Sequence, residues 1–379
     1  MKGLGGISGF LLTAYLFSVS ACTTEVINQD PMVNTKALTG VSEIKIADLN
    51  EALNLDQNNA GLYAKRAKLF WQAKKLDKAL ADIEQAIKFN SNQPDYYFWE
   101  AVILRDMGRI TQALNRVEEA EKIGLKEANG YLLGAELLIK KKNYQGALEK
   151  VNLALDEEPD NEYGLFYKGI ARAALGDTAS AMVLYRRAIR NAPEFVHPYL
   201  HLGSIYNAQQ NYPEAAVFLA KGKILEPANA FLWYQKGLWY KGLKKPDSAY
   251  VSFAQAQKLD PDLYLANYQL ALMEYKKRNY AGVAANLEKV KTGLRNLEQG
   301  QEMLAESYEK TGRYQEALAV YSQVLQRKPN DIKSMWGVRR STWGIKKTER
   351  DSLRRTRNYN NIMPADIYIP DDIIQDTIY

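Results

Sequence analysis

The sequence predicts an all-α fold, a solenoid in which a pair of helices repeats along most of the chain. Three segments indicate this, because they align at a step of 34 residues or twice that step: "YPEAAVFLAKGKILEPANA", "KPDSAYVSFAQAQKLDPDL" and "YQEALAVYSQVLQRKPNDI". Small residues recur at fixed places in each step, and proline recurs near its end. A fixed period of this length is typical of proteins built from stacked supersecondary units.

Four columns of residues follow the 34-residue step. The first holds Ala79, Ala113, Ala147, Ala181, Ala215, Ala249, Val283 and Ala317. The second holds Ala86, Ala120, Ala154, Ala188, Gly222, Ala256, Val290 and Val324, and the third holds Ala67, Ala101, Ala135, Gly169, Gly203, Gly237, Ala271 and Ala305. The fourth holds Pro159, Pro193, Pro227, Pro261 and Pro329. Small residues let two helices approach closely where they cross, and proline ends a helix.

These columns resemble the tetratricopeptide repeat family in both period and residue type. The resemblance implies a right-handed superhelical solenoid of eight 34-residue helix-turn-helix units, which fill residues 60–331. Each unit offers two helices of about 14 residues, near 21 Å long. One unit cannot bury its apolar face alone, so neighbouring units stabilise one another. We expect an N-terminal capping helix at residues 42–59 and a basic capping and linker segment at residues 332–357.

The N-terminus has the layout of an export signal. After Met1 and Lys2 comes the apolar run "GISGFLLTAYLF", followed by small residues before the single cysteine of the chain, Cys22. The run is too short for a comfortable membrane-spanning helix. We therefore interpret residues 1–21 as a signal peptide and residues 22–41 as a flexible tether between an anchor and the folded body.

The end of this signal, "VSAC", resembles the lipobox of bacterial lipoproteins. The resemblance implies that Cys22 becomes the acylated first residue of the mature protein; the alternative is an ordinary cleaved signal with a chance cysteine. Thr23 after the cysteine resembles the pattern sorted to the outer membrane in a bacterium with two membranes. A bacterium with one membrane would hold the protein on the outer face of that membrane.

Composition and motifs give no support for catalysis. The net charge of +6 is mild and by itself does not indicate nucleic-acid binding, which requires basic residues concentrated on one face together with aromatic residues for stacking; we expect no nucleic-acid partner. His197 and His201 lie four residues apart and could share a helix face, but neither a zincin glutamate nor a third ligand accompanies them. The chain also lacks a nucleophile elbow and a phosphate-binding glycine loop. We expect no enzyme, no metal and no cofactor.

The resemblance places positions 2, 5, 9 and 12 of each unit on the concave side of the array. In units four to seven these positions form an apolar, tyrosine-rich strip. Its members include Tyr163, Phe166, Leu200, Phe231, Tyr234, Leu238, Tyr268, Leu272 and Tyr275. Exposed apolar patches usually mark interaction sites, and tyrosine is favoured at interfaces. We predict that this strip binds an extended or helical protein segment. The alternative is that curvature buries part of it between neighbouring units.

The C-terminal tail, residues 358–379, is short and broken by proline, yet it is rich in isoleucine and tyrosine between aspartates. Its apolar members are Ile367, Tyr368, Ile369, Ile373, Ile374, Ile378 and Tyr379. Disordered tails are usually poorer in such residues. We expect the tail to contact a partner; docking into the array itself and a tail without a role are the alternatives.

Together these features predict a lipid-anchored outer-membrane scaffold that holds other envelope proteins through its groove and its tail. Family members of this build serve secretion, pilus, gliding and outer-membrane insertion machines, or act as adaptors for cell-wall hydrolases. A subunit of a secretion or motility machine is the leading hypothesis. An enzyme or a peptide- or glycan-binding lipoprotein is the competing class. Residues 339–357 carry eight Lys and Arg against two acids, which indicates a solvated capping helix or a site for lipid headgroups.

Overall fold

The computed structural model describes residues 42–290, 294, 297 and 299–362. Within these ranges the regular structure consists of eighteen helices, so the all-α prediction is confirmed. The chain divides into two compact units, Met1–Lys244 and Lys245–Tyr379. The signal segment, Cys22 and the apolar residues of the tail lie outside the described residues. None of the helices in the described part of the chain is long and apolar enough to cross a membrane.

The first unit holds the cap and five and a half helix pairs. Its helices are α1 (Ser42–Leu55), α2 (Ala60–Gln72), α3 (Leu76–Phe89), α4 (Pro94–Asp106), α5 (Ile110–Lys122), α6 (Ala128–Lys140), α7 (Tyr144–Glu157), α8 (Glu162–Ala174), α9 (Thr178–Asn191), α10 (Val196–Ala208), α11 (Tyr212–Leu225) and α12 (Ala230–Gly242). The first helix of each pair begins 34 residues after the previous one, as the period predicts. Helices consecutive in the chain pack together, and so do first helices of successive pairs such as α6 and α8.

The second unit departs from the regular period. Its helices are α13 (Pro246–Leu259), α14 (Tyr264–Lys276), α15 (Tyr280–Leu287), α16 (Gly300–Lys310), α17 (Tyr314–Arg327) and α18 (Ile332–Ile362). α15 has 8 residues where α13 has 14, and α16 begins two residues later than a strict step of 34 places it. The repeat therefore contains a local irregularity between Leu287 and Gly300.

The last helix is longer than the capping segment expected from sequence. α18 runs for 31 residues without a break and extends to Ile362, which makes the first residues of the expected tail helical. Between Gly344 and Pro364 the sequence contains neither glycine nor proline, the two residues that most disfavour a helix interior. The helix therefore continues until the chain approaches a residue that cannot extend it.

The turn between the two helices of each pair has the same conformation throughout. One residue at position 15 of every repeat has a positive φ, and the set is Lys74, Gly108, Lys142, Gly176, Gln210, Lys244, Arg278 and Gly312. A backbone hydrogen bond closes the turn: the N–H of Asn143, for example, donates to the carbonyl of Leu138 five residues earlier. This is the Schellman arrangement, which satisfies carbonyls at the helix end.

The columns of small residues lie where the two helices of a pair cross. Ala79, Ala113 and Ala147 are completely buried. Where the third column has glycine, a larger side chain of the second helix fills the space: Gly169 lies against the ring of Tyr185, and Gly203 lies against Leu219. The core of each unit therefore forms between neighbouring helices, as expected for a repeat whose modules stabilise one another.

Candidate functional site

The structure buries a large part of the strip that the sequence assigned to a groove. Phe166, Leu200, Phe231 and Tyr234, all in the first unit, are buried. The expectation that these four side chains form a partner-facing surface is therefore wrong for this structure. The physical reason is that α8, α10 and α12 follow one another closely, and aromatic rings fill the layer between them.

This aromatic layer is built around the two histidines. The ring of Phe166 lies 5.2 Å from that of His201 and 5.7 Å from that of His197, measured between ring centroids. Phe231 lies 6.2 Å from His201 on the other side. Both histidines are buried, so they do not line an open groove. Within the described part of the chain, no cluster of three His, Cys, Asp or Glu could hold a metal ion.

Burial strongly perturbs His201. Removal from water disfavours the charged imidazolium and, with a smaller contribution from the charge of His197, lowers the pKa of His201 to about 3. Its Nδ1 atom lies 3.5 Å from the hydroxyl oxygen of Tyr185, which is itself completely buried. The imidazole is therefore neutral at physiological pH and belongs to the core.

The remaining members of the predicted strip are half-buried. They are Tyr163 and Leu238 in the first unit and Tyr268, Leu272 and Tyr275 in the second. The Tyr275 hydroxyl donates a hydrogen bond of 2.7 Å to the Glu306 carboxylate. This bond, together with burial, raises the pKa of Tyr275 to about 12. These five side chains keep some solvent-accessible surface, and a role in binding a partner stays a prediction for them.

Polar bridges join position 12 of one repeat to position 9 of the next. The buried Arg105 donates to Glu136 at 3.2 Å in the first unit. In the second unit Tyr275 donates to Glu306 in the same way. Arg340 of α18 makes two hydrogen bonds with Glu309, at 2.6 and 2.9 Å. The bridges fix the register of neighbouring first helices. They lie on the face of these helices that also carries the predicted strip.

The terminal helix carries a surface that the sequence reasoning missed. If the 34-residue register is continued from residue 298, position 1 falls on Ile332, and positions 5 and 12 fall on Trp336 and Trp343. The two tryptophans are 53% and 58% exposed, and Ile332 is 64% exposed. Continuing the period one unit further would have found them. The basic residues 339–357 predict a solvated capping helix instead.

Cations accompany both tryptophans. The Arg339 guanidinium lies 5.0 Å from the ring centroid of Trp336, and the Lys347 ammonium lies 5.3 Å from that of Trp343. At these distances a cation is attracted by the aromatic ring. We call this surface the tryptophan face and define it by Ile332, Met335, Trp336, Arg339, Trp343 and Lys347.

Comparison with known families and structures identifies the fold. Models described as tetratricopeptide repeat match residues 60–93, 164–225, 232–263 and 299–331. The fold is that of a tetratricopeptide-repeat protein. No curated protein sequence matches the chain significantly. This repeat fold generally serves as a non-enzymatic scaffold that binds other proteins.

Solved structures show the same superhelical architecture at low sequence identity. A chain in the crystal structure of the APC/C hetero-tetramer Cut9-Hcn1 superimposes with a TM-score of 0.55 at 15% identity, covering 70% of this chain and 49% of that one. A tetratricopeptide repeat protein from Parabacteroides merdae gives a TM-score of 0.54 at 16% identity, covering 66% and 99%. Yeast Tom70 gives 0.51 at 16% identity, covering 83% and 71%. The chain spans about half of the length of the Cut9-Hcn1 chain that it matches.

Proposed function

We propose that this tetratricopeptide-repeat protein is a membrane-anchored scaffold that holds other proteins together in a bacterial cell-envelope assembly. α14 is the first helix of its pair, and Tyr268, Leu272 and Tyr275 lie on one side of it, which we call its first-helix face. The observation that carries the proposal is that these three side chains keep solvent-accessible surface. Tyrosine and leucine on a partly exposed face suit recognition of a protein segment, because they offer apolar area and a polar tip.

The anchor in this proposal is lipid on Cys22. The apolar run, the small residues before Cys22 and the polar stretch after it support export and acylation. Residues 23–41 then act as the tether, and Thr23 supports a location at the outer membrane. One acyl chain alone binds membranes only marginally, so stable anchoring requires more than one chain. Replacing Cys22 with serine should release the protein from membranes or leave it unprocessed; unchanged fractionation and acylation would contradict the anchor.

Within this class we propose a subunit of an outer-membrane secretion or motility machine. The two contact surfaces named from sequence, the first-helix strip and the tail, favour a subunit that touches two neighbours. Affinity purification of the full-length protein from its own membranes in mild detergent, followed by mass spectrometry, tests this. Machine components recovered in near-stoichiometric amount would support the proposal. Recovery of a cell-wall hydrolase would indicate an adaptor, and retention on peptidoglycan without protein partners would indicate a ligand-binding lipoprotein.

The role of the first-helix face is tested by a matched pair of variants. Tyr268→Ser with Leu272→Ser should reduce partner recovery about ten-fold, because it removes two apolar side chains from the contact. Val251→Ser is the control. It changes a valine that is 64% exposed on α13, which is the second helix of its pair, and it should leave partner recovery unchanged. Equal recovery with both variants would contradict the assignment. Circular dichroism must show unchanged helix content, since loss of helix would mean that the two residues serve the core.

A further inference from the structure

The terminal helix α18 has one packed face and one uncovered face. The packed face carries Ser334 and Ser341, which are completely buried, and Gly337, which abuts the ring of Tyr321 on α17. The opposite side carries the tryptophan face. Two tryptophans more than half exposed on one helix form an unusually large apolar surface for an isolated monomer, and such surfaces usually mark a contact.

The uncovered side of α18 is also strongly basic. Lys346, Lys347, Arg350 and Arg354 follow Trp343 at helical spacings that keep them on its side of the helix, and all four are exposed. At 100° per residue the two acids of this stretch lie off this line: Glu349 is turned about 120° from Trp343, and Asp351 about 80°. Lys346, Lys347 and Arg354 have no carboxylate partner within the described residues. The complementary surface must therefore be both apolar and acidic.

The C-terminal segment of the same chain has this composition. Residues 363–379, "MPADIYIPDDIIQDTIY", contain four aspartates and no lysine or arginine, with isoleucine and tyrosine between the acids. Each of its two features has a counterpart on α18: the aspartates match the lysines and arginines, and the isoleucines and tyrosines match the tryptophans. Opposite charges on facing surfaces select the partner, and apolar contact supplies most of the affinity.

The segment is also long enough and attached at the right place. α18 ends at Ile362, and the distance back along its axis is about 29 Å to Trp343 and about 39 Å to Trp336. The 17 residues beyond Ile362 can span up to about 56 Å when extended. Pro364 cannot continue the helix, which favours a change of chain direction there. A segment tethered so close to its site has an effective concentration in the millimolar range.

We propose that residues 363–379 fold back along α18 and cover the tryptophan face of the same chain. The proposal leaves the anchor at Cys22 and the exposed face of α14 unaffected, but it changes the role of the tail in the proposed machine subunit: a neighbour contacts the tail or the tryptophan face only when it displaces one from the other. It assigns the tail to a contact within the chain, whereas the sequence alone favoured a contact with a partner. Covering the face keeps two tryptophans from non-specific association while the protein is free, and leaves them available to a partner that displaces the tail.

The contact can be tested in the full-length chain with a photo-crosslinking amino acid at Tyr368. Irradiation should join position 368 to residues of α18 between Ile332 and Arg355, which peptide mass spectrometry would locate. Irradiating an equal mixture of isotopically heavy and light protein shows whether the crosslinked tail belongs to the same chain or to a second copy. Crosslinks within heavy or within light chains support the proposal. Mixed crosslinks would overturn it and show that a second copy covers the face.

Two variants make the test specific. Trp336→Ser with Trp343→Ser should lower the crosslink yield at least about five-fold, because the apolar part of the contact is lost. Both side chains are exposed, so the fold should survive. Asp371→Asn with Asp372→Asn removes two of the four aspartates, so it should lower the yield and roughly halve its salt dependence between about 0.05 and about 0.5 M, since screening acts on the charged part. Val251→Ser, equally exposed but on α13, should leave the yield unchanged.

Binding to phosphatidylglycerol vesicles tests the alternative that the tryptophan face contacts a membrane surface instead of the tail. If the tail does not crosslink to α18 and vesicles instead protect Trp336 and Trp343 from acrylamide quenching, the tryptophan face binds an anionic membrane surface and the proposal is wrong. Crosslinks confined to residues before Lys245 would also overturn it, because they would place the tail on the first unit.

Discussion

The pair formed by Gly169 and Tyr185 offers a direct test of how closely the helices of one repeat approach. A β-carbon added at Gly169 would lie 2.5 Å from Cε1 of Tyr185, 2.9 Å from Cδ1 and 3.1 Å from Cζ. The tyrosine cannot easily move aside, because its ring is completely buried and its hydroxyl lies beside His201. Gly169→Ala therefore forces a rigid ring out of its position.

Two opposing effects determine the magnitude. Replacing glycine by alanine inside a helix favours folding by about 1 kcal/mol. Inserting a methyl group into a packed core costs about 1–3 kcal/mol, and three ring atoms within 3.1 Å place this site in the upper half of that range. We expect a net loss of about 1–2 kcal/mol. For a unit of about 200 residues this corresponds to a fall of about 2–8 °C in melting temperature.

Gly134 is the matched control. It is also a buried helical glycine in the first unit, but its added β-carbon would lie 3.4 Å from Val117 Cγ1 and 3.8 Å from Lys150, which is ordinary contact. Gly134→Ala should therefore raise the melting temperature by about 2–4 °C. Thermal unfolding followed by circular dichroism measures both variants. A rise for both would refute the claim that Tyr185 limits the space.

The coupling between the two sites can be measured separately. Val117 and Val151 occupy the column of Tyr185 in earlier repeats, where the third column has alanine. In a Tyr185→Val background, Gly169→Ala should become stabilising, because the ring that blocks the methyl group is absent. A double-mutant cycle isolates this interaction from the cost of the cavity. If Gly169→Ala has the same effect in both backgrounds, the steric explanation is wrong.

Two further predictions concern buried ionisable groups. Arg105→Met should cost about 1.5–3 kcal/mol, because it removes a buried guanidinium from Glu136 and leaves Lys140, 3.0 Å from that carboxylate, as the remaining cation. Arg187→Met breaks an exposed pair with Asp160 and should change stability much less. Urea denaturation compares the two variants, and equal costs would contradict this reasoning. The unfolded state binds a proton at His201 near pH 6.5, while the folded state resists protonation until about pH 3, so stability falls as the pH is lowered through this window. Between pH 8 and pH 5 the wild type should lose about 2 kcal/mol more than His201→Gln, and identical pH profiles would refute it.

The repeat itself could be predicted from sequence because its determinants are local and periodic. The third column requires a small residue wherever two helices cross, and the structure places Ala67, Ala101 and Ala135 in completely buried positions. The same sterics act in each repeat, so the signal accumulates along the chain. The shortening of α15 leaves no such signal in the sequence. Val283 and Val290 still fall in the first and second columns, although the helix ends at Leu287.

The binding surface was harder to predict. Register shows in which direction a side chain points from its helix axis, but it does not show how near the next helix lies. Phe166 and Tyr234 occupy register positions equivalent to that of Trp336, yet the first two are buried and the tryptophan is exposed. Phe166 is covered by the next first helix, α10, through the rings of His197 and His201. α18 is the last helix described, so no following first helix covers its outer side there.

The sequence by itself determined the class of fold and the number and spacing of the helices up to Leu287, and it predicts a lipid anchor at Cys22. These depend on local sterics and on a short linear signal, which a single chain displays in order. Only the tertiary structure decided that His197 and His201 belong to an aromatic core, that α18 is continuous to Ile362, and that the described helices leave its tryptophans uncovered. These depend on which surfaces meet in space, and a residue's exposure is set by its neighbours rather than by its own type.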